Sequence, residues 1–188
     1  MGETTLGGKL LIAMPSLADP NFFRTVILLG THSNEEGAFG LIMNRPSEIP
    51  LVVVLEQLGI TDPPVRSPSV LTGGPVQPDQ GFVIVEGSSL QPGEPDLEAG
   101  NFTISGRTEF LETLALGNLE RAFNLCLGYS GWSPGQLERE IEENSWLVAP
   151  ATGRILFHTP FEDRWTAALR SIGVDPGTLV DLGHGEPS

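Results

Sequence analysis

Apolar residues in this chain gather in short continuous runs separated by clusters of turn-forming residues. Leu10 to Met14, Thr25 to Leu29 and Phe39 to Met43 are β-branched in part and bounded by Pro, Gly, Asn or Asp, the pattern of buried strands. Similar runs predict strands near 9–14, 24–30, 38–43, 69–73, 81–86, 101–105, 122–128 and 154–158. The 23 glycines and 16 prolines exceed the average share of roughly 12%, yet they punctuate apolar runs instead of forming a low-complexity tract. Many short elements and tight joints follow. Glu86 to Gly100 is the most loop-like segment, an acidic, proline-rich excursion between strands.

Helix signals are concentrated later in the chain. Ser133-Pro134-Gly135-Gln136 places an N-cap hydroxyl, proline at the first helical position and glutamine three residues after the cap; Thr159-Pro160-Phe161-Glu162 repeats the arrangement with glutamate. Each cap contributes about 1 kcal/mol. In the second helix Phe161, Trp165, Ala168, Leu169 and Ile172 share one face, and Gly173 supplies the stop. A helix from about Thr108 to Leu116 and a shorter one from Leu51 to Leu58, ending at Gly59, complete the set. Strands first and helices later favour α+β over a regular βαβ alternation.

A chain of 188 residues fits one domain, with no internal repeat or linker to divide it, and buries roughly 70% of its extended surface on folding. Cys126 is the single cysteine; it reads as a small buried hydrophobe, excludes an intrachain disulfide and suits a reducing compartment. The N-terminal apolar run is too short for an export signal, Leu6 breaks the myristoylation pattern, and no run approaches the roughly 20 residues of a membrane span. A cytoplasmic protein without a membrane partner is expected. With 24 acidic residues against 10 basic ones the formal net charge is −14, which repels phosphate backbones at long range and disfavours direct nucleic-acid binding.

Known chemical motifs do not assemble. Gly7-Gly8-Lys9 lacks the upstream glycine of a phosphate loop and has Leu10 where a magnesium-binding hydroxyl belongs. In Gly128-Tyr129-Ser130-Gly131-Trp132 a tryptophan occupies the last glycine position of a hydrolase nucleophile elbow. The three histidines, His32, His158 and His184, are isolated, so neither a metal nor a cofactor is implied. Two acid–base candidates stand out. His32 lies at a strand end beside acidic residues, and Glu140 belongs to a polar line with Gln136 and Asn144 beside the apolar line Leu137 and Ile141.

The remaining constellation pairs Asn44-Arg45-Pro46 with Gly73-Gly74-Pro75, two strand exits where proline ends the ladder. Gly73 and Gly74 would let a ligand or another backbone approach closely. Arg45 would offer a fork to a carboxylate or phosphate, or pair with one of the many acidic side chains.

These residues carry a resemblance. LLIAMPSLADPNF with Arg24, then His32, Gly37-Ala38-Phe39-Gly40 and Asn44-Arg45-Pro46, followed by Gly73-Gly74-Pro75-Val76, Gly128 to Trp132, Gln136 to Ile141, Trp146 and Ile172-Gly173-Val174-Asp175, are similar to the AlgH/YqgE-like bacterial proteins across nearly the whole chain. The resemblance implies an α+β domain with a bifurcated, barrel-like, mostly antiparallel sheet and peripheral helices. It carries no catalytic residues. Its name associates one lineage with transcriptional control, while this chain has neither the charge nor a basic recognition helix for direct DNA binding.

The expected function is a non-enzymatic binding or regulatory domain that engages a protein or a small anion around Asn44, Arg45, Gly73 and Gly74. Two alternatives remain: an enzyme of unidentified chemistry using His32 or Glu140, and a transcription-associated regulator acting without direct DNA contact.

Overall fold

A computed structural model describes residues 5–17, 19–57, 59, 70–87, 96–107 and 123–183. Its strands are β1 (Lys9–Ala13), β2 (Val26–Ser33), β3 (Gly37–Ile42), β4 (Val70–Thr72), β5 (Val76–Glu86), β6 (Leu97–Ala99), β7 (Phe102–Ser105), β8 (Phe123–Trp132) and β9 (Trp146–Pro150). They form one sheet in the order β6-β7-β5-β8-β3-β2-β1-β9, with β4 beside β8. All pairings are antiparallel except β4 with β8. Helices α1 (Leu51–Gln57), α2 (Gln136–Glu142), α3 (Arg164–Ser171) and α4 (Pro176–Gly183) lie around it. The α+β class expected from the order of elements, and the bifurcated sheet implied by the family resemblance, are both present.

The continuous apolar runs have a direct cause: the central strands are covered on both sides. Leu10, Ile12, Val26 and Leu28 face a core closed by Leu156, Trp165, Ala168 and Leu169, whereas Leu11, Ala13, Ile27 and Leu29 face Trp132, Leu137 and Trp146. A third cluster seats Leu51, Val54 and Leu55 of α1 on Val83, Val85, Leu125 and Leu127. The sheet also curls. Near its first edge Leu97 reaches β2, where a Cβ on Gly30 would stand 2.8 Å from the leucine Cδ2.

The sheet forks at β8. Residues Ser130 to Trp132 pair with β3, whereas Leu125 to Leu127 pair along the same edge with β4. β4 and the glycine after it also bond to the diverging exit of β3, through Ile42 N–H to the Gly73 carbonyl, Thr72 N–H to that of Arg45 and Ser47 N–H to that of Val70, at 2.8, 2.8 and 2.7 Å.

Several predicted elements are corrected. Residues 154–158 form a π-helix, Arg154–His158, instead of a strand. The sheet edge next to β1 is taken by β9, which was missed because Asn144, at φ 61°, reverses the chain directly after α2 and leaves no loop-like separator. The Ser133 and Thr159 hydroxyls do not cap. Gly135, at φ 79°, precedes α2, and the Thr159 hydroxyl donates instead to the Arg154 carbonyl at 2.8 Å. One half of the capping box survives, since Ser133 N–H donates to Gln136 Oε1 at 2.9 Å. Leu97 to Ala99, expected within a loop, forms β6. The helix predicted from Thr108 to Leu116 lies outside the described residues, as does most of the excursion between Glu86 and Gly100.

Candidate functional site

The joint between β1 and β2 is built from Met14 to Thr25. Asp19 Oδ1 accepts the Asn21 N–H at 2.9 Å, and the Thr25 hydroxyl donates to the Phe22 carbonyl at 2.9 Å, the local bonding by which short polar side chains shape turns. Consecutive phenylalanines then part. Phe22 packs against Trp132 and Trp146, with ring centroids 6.3 and 5.7 Å away, whereas Phe23 is 57% exposed. Arg24 follows at φ 52°, a left-handed conformation uncommon for a side chain of its size.

Asn44 and Arg45 hold this tip from the exit of β3. Asn44 Oδ1 accepts Val26 N–H at 2.9 Å, and its Nδ2 donates to the Arg24 carbonyl at 2.8 Å. The Arg45 guanidinium donates to the carbonyls of Asn21 and Phe23. Burial lowers its pKa from the ordinary value, with the Asp19 charge opposing the shift. Arg24 itself lies over Phe23 and Trp165, 5.6 and 5.0 Å from the ring centroids. Four hydrogen bonds therefore set the backbone of a tip that displays one phenyl ring and one guanidinium.

Gly73 and Gly74 sit at the crotch of the fork. A Cβ on Gly73 would stand 2.4 Å from the Gly128 carbonyl oxygen, and one on Gly74 would stand 2.1 Å from the backbone of Tyr129. Close approach of another backbone, one of the two uses foreseen for these glycines, is what the fold contains. The Gly73 carbonyl also accepts the Ser130 hydroxyl at 3.1 Å, which engages the serine of the elbow-like stretch. The Thr72 to Arg45 backbone bond brings the strand exit bearing Asn44 and Arg45 beside the one that leads to Gly73 and Gly74, while the Asn44 side chain turns to the β1–β2 tip.

The two acid–base candidates lie on separate networks. Glu140 accepts three side-chain donors: the indole N–H groups of Trp132 and Trp146 on Oε1 at 3.2 and 2.9 Å, and Gln136 Nε2 on Oε2 at 2.9 Å. His32, 8% exposed, accepts Leu6 N–H on Nδ1 at 3.1 Å and meets Glu138 Oε1 through Nε2. Because Nδ1 is an acceptor, the neutral ring carries its proton on Nε2, facing the carboxylate. Glu138 and Glu140, two residues apart on α2, point to different partners. Among the described residues no three His, Cys, Asp or Glu side chains form a group able to hold a metal. Cys126 is buried, and burial pushes its thiol pKa upward against the opposing charge of Arg164.

Comparison with known proteins places this architecture. The AlgH-like family model matches residues 10–177. The chain belongs to the AlgH-like family. A UPF0301 protein of Xanthomonas oryzae pv. oryzae is 46% identical over 184 residues, covering 96% of this chain and 97% of the relative. A UPF0301 protein of Magnetococcus marinus is 43% identical over 189 residues, covering 98% of each. The solution structure of the AlgH protein from Pseudomonas aeruginosa matches all of this chain and 97% of its own, with TM-score 0.77 and 40% identity. A crystal structure of a Corynebacterium diphtheriae protein matches 90% of this chain and 87% of its own, with TM-score 0.68 and 25% identity. Among the described residues of this AlgH-like chain no helix is long and apolar enough to cross a membrane.

Two residues of this region escaped the sequence analysis. Phe23 sits in the motif beside Phe22, and only the turn geometry separates the inward ring from the outward one. Arg164 is 3% exposed and donates to the Met43 and Thr159 carbonyls while its guanidinium lies 4.5 Å from the Phe161 ring centroid. Its four-residue spacing from Ala168 placed it on the inward face, a signal its charge obscured.

Proposed function

We propose that this AlgH-like protein is a non-enzymatic binding domain that engages a partner protein through the Phe23–Arg24 tip. The observation that carries this reading is a phenyl ring 57% exposed on a backbone held by Asn44 and Arg45. An exposed aromatic beside arginine has the composition of an interface hot spot, and ordering the tip in advance removes an entropic cost of binding. Asn44 and Arg45 are then positioning residues, and the partner offers an apolar pocket rimmed by carboxylates.

His32 and Glu140 already satisfy internal donors and acceptors, which supports recognition over bond-breaking chemistry. The experiment is affinity capture from a bacterium that encodes the protein, comparing the natural chain with Phe23→Ala, Arg24→Ala and the remote surface change Glu142→Ala. A partner retained by Glu142→Ala and lost by both tip variants is expected. Identical capture by all four proteins would remove the tip from consideration.

A further inference from the structure

A cavity of about 540 Å³ lies between the π-helix and α3, within the size range of small-molecule sites. Arg154 and Ile155 line one side, Ala167 and Arg170 the other, and Thr152 and Thr159 flank them. It uses the outward side of α3, whose inward side carries Arg164, Trp165, Ala168 and Leu169.

Three observations converge here. Neither Arg154 nor Arg170 forms an ion pair among the described residues, although the chain carries 24 carboxylate side chains. Arg154 and Arg170 thus both line one cavity in a protein whose acidic side chains, 24 against 10 basic ones, far outnumber its basic ones. The second is the π-helix, a rare backbone form often found at functional positions. It is anchored from below, where Asn124 Nδ2 donates to the Leu156 carbonyl at 2.7 Å, and closed by the Thr159 hydroxyl on the Arg154 carbonyl. The third is the cavity's mixed chemistry, with Ile155 and Ala167 offering apolar surface beside the charges.

We propose that this cavity binds an organic anion, its apolar body lying on Ile155 and Ala167 and its carboxylate or phosphate held by Arg154 and Arg170. Guanidinium forks match both headgroups. An anion without an apolar body gains only the charge contacts, and a neutral apolar alcohol gains only the surface contacts.

The test is a titration of the isotopically labelled full chain, followed by amide NMR shifts, with 4-phenylbutyrate, phenyl phosphate, inorganic phosphate and 4-phenylbutanol as probes. Saturable shifts confined to residues 152–159 and 167–171 are expected with one or both organic anions, the stronger binder identifying the headgroup. Inorganic phosphate and the alcohol should bind at least about tenfold more weakly. Arg154→Gln and Arg170→Gln should each weaken the organic anion about tenfold, and Ala167→Trp should fill the cavity and abolish its shifts. Both arginines are exposed, so these variants retain the fold, as their unperturbed remaining spectra will verify. Equal binding of the alcohol, shifts elsewhere, no saturation, or affinities unchanged in both arginine variants would each overturn the proposal.

Discussion

Trp132 and Trp146 donate their indole N–H groups to the same oxygen, Oε1 of Glu140, and their rings meet edge to face with centroids 5.9 Å apart. One tryptophan ends β8 and the other begins β9, so this carboxylate joins the two strands flanking its own helix. Glu140→Ala removes the acceptor and leaves two indole donors in a site where Trp132 and Trp146 are 6% and 1% exposed. An unsatisfied buried donor costs about 1–3 kcal/mol, so a loss of about 3 kcal/mol is expected, with a smaller one for Glu140→Gln. Urea unfolding midpoints will measure it; equal stability of Glu140→Ala and the natural chain would show that water replaces the carboxylate.

The His32–Glu138 contact predicts a pH dependence. Burial opposes ionisation of Glu138, but hydrogen bonds from His32 and from its own backbone, with attraction to the His32 ring, outweigh it and hold the carboxyl below its ordinary 4.5. A lowered folded-state pKa contributes stability that is fully present above the unfolded value and is lost as pH falls through the folded one. Glu138→Gln should therefore be less stable than the natural chain at about pH 6, with the gap closing toward about pH 3. A gap independent of pH across that interval would contradict the linkage.

Asn44 and Arg45 should act locally. Asn44→Ala deprives Val26 N–H of its acceptor at a residue with no exposed surface, at a cost of about 1–3 kcal/mol. Arg45→Lys should release the tip almost as fully as Arg45→Ala, because a single ammonium does not reproduce a fork reaching two carbonyls. Hydrogen exchange at residues 21–26 is the readout, and faster exchange there with unchanged rates in β8 is the expected result. Unchanged exchange at the tip in Arg45→Ala would mean that the turn holds itself.

The glycines separate two kinds of strain. Gly73→Ala drives a Cβ to 2.4 Å from a carbonyl at the fork, whereas Gly135, at φ 79°, has nothing within 4 Å of its added Cβ. Alanine at Gly135 should cost about 1–2 kcal/mol through its left-handed backbone alone, and alanine at Gly73 about 3 kcal/mol or more through overpacking. Chemical denaturation of both variants decides the order; equal losses would mean that the fork opens readily.

Periodicity and apolar content carried much of the architecture in one dimension. The runs at Leu10, Thr25 and Phe39 are strands because burial on two sides demands unbroken hydrophobicity, and that demand is written locally. The segment at residues 154–158 misled for the same reason: Ile155 and Leu156 are buried, but burial alone does not distinguish a strand from a π-helix. Caps failed through contacts and turns beyond the motif: the Thr159 hydroxyl donates to the Arg154 carbonyl, and Gly135, not Ser133, stands directly before α2.

That polar residues and glycines crowd the joints was readable from composition, and the Thr72 to Arg45 backbone bond sets the two strand exits side by side. What each touches was settled by packing alone. The inward turn of Phe22 and outward turn of Phe23, the fork that requires Gly73, and the cavity between Arg154 and Arg170 arise from contacts among distant segments. Local sequence thus determined which stretches had to be buried, because hydrophobic transfer acts on each side chain where it stands; tertiary structure decided which polar groups remained free, because that depends on which partners the folded chain brings within reach.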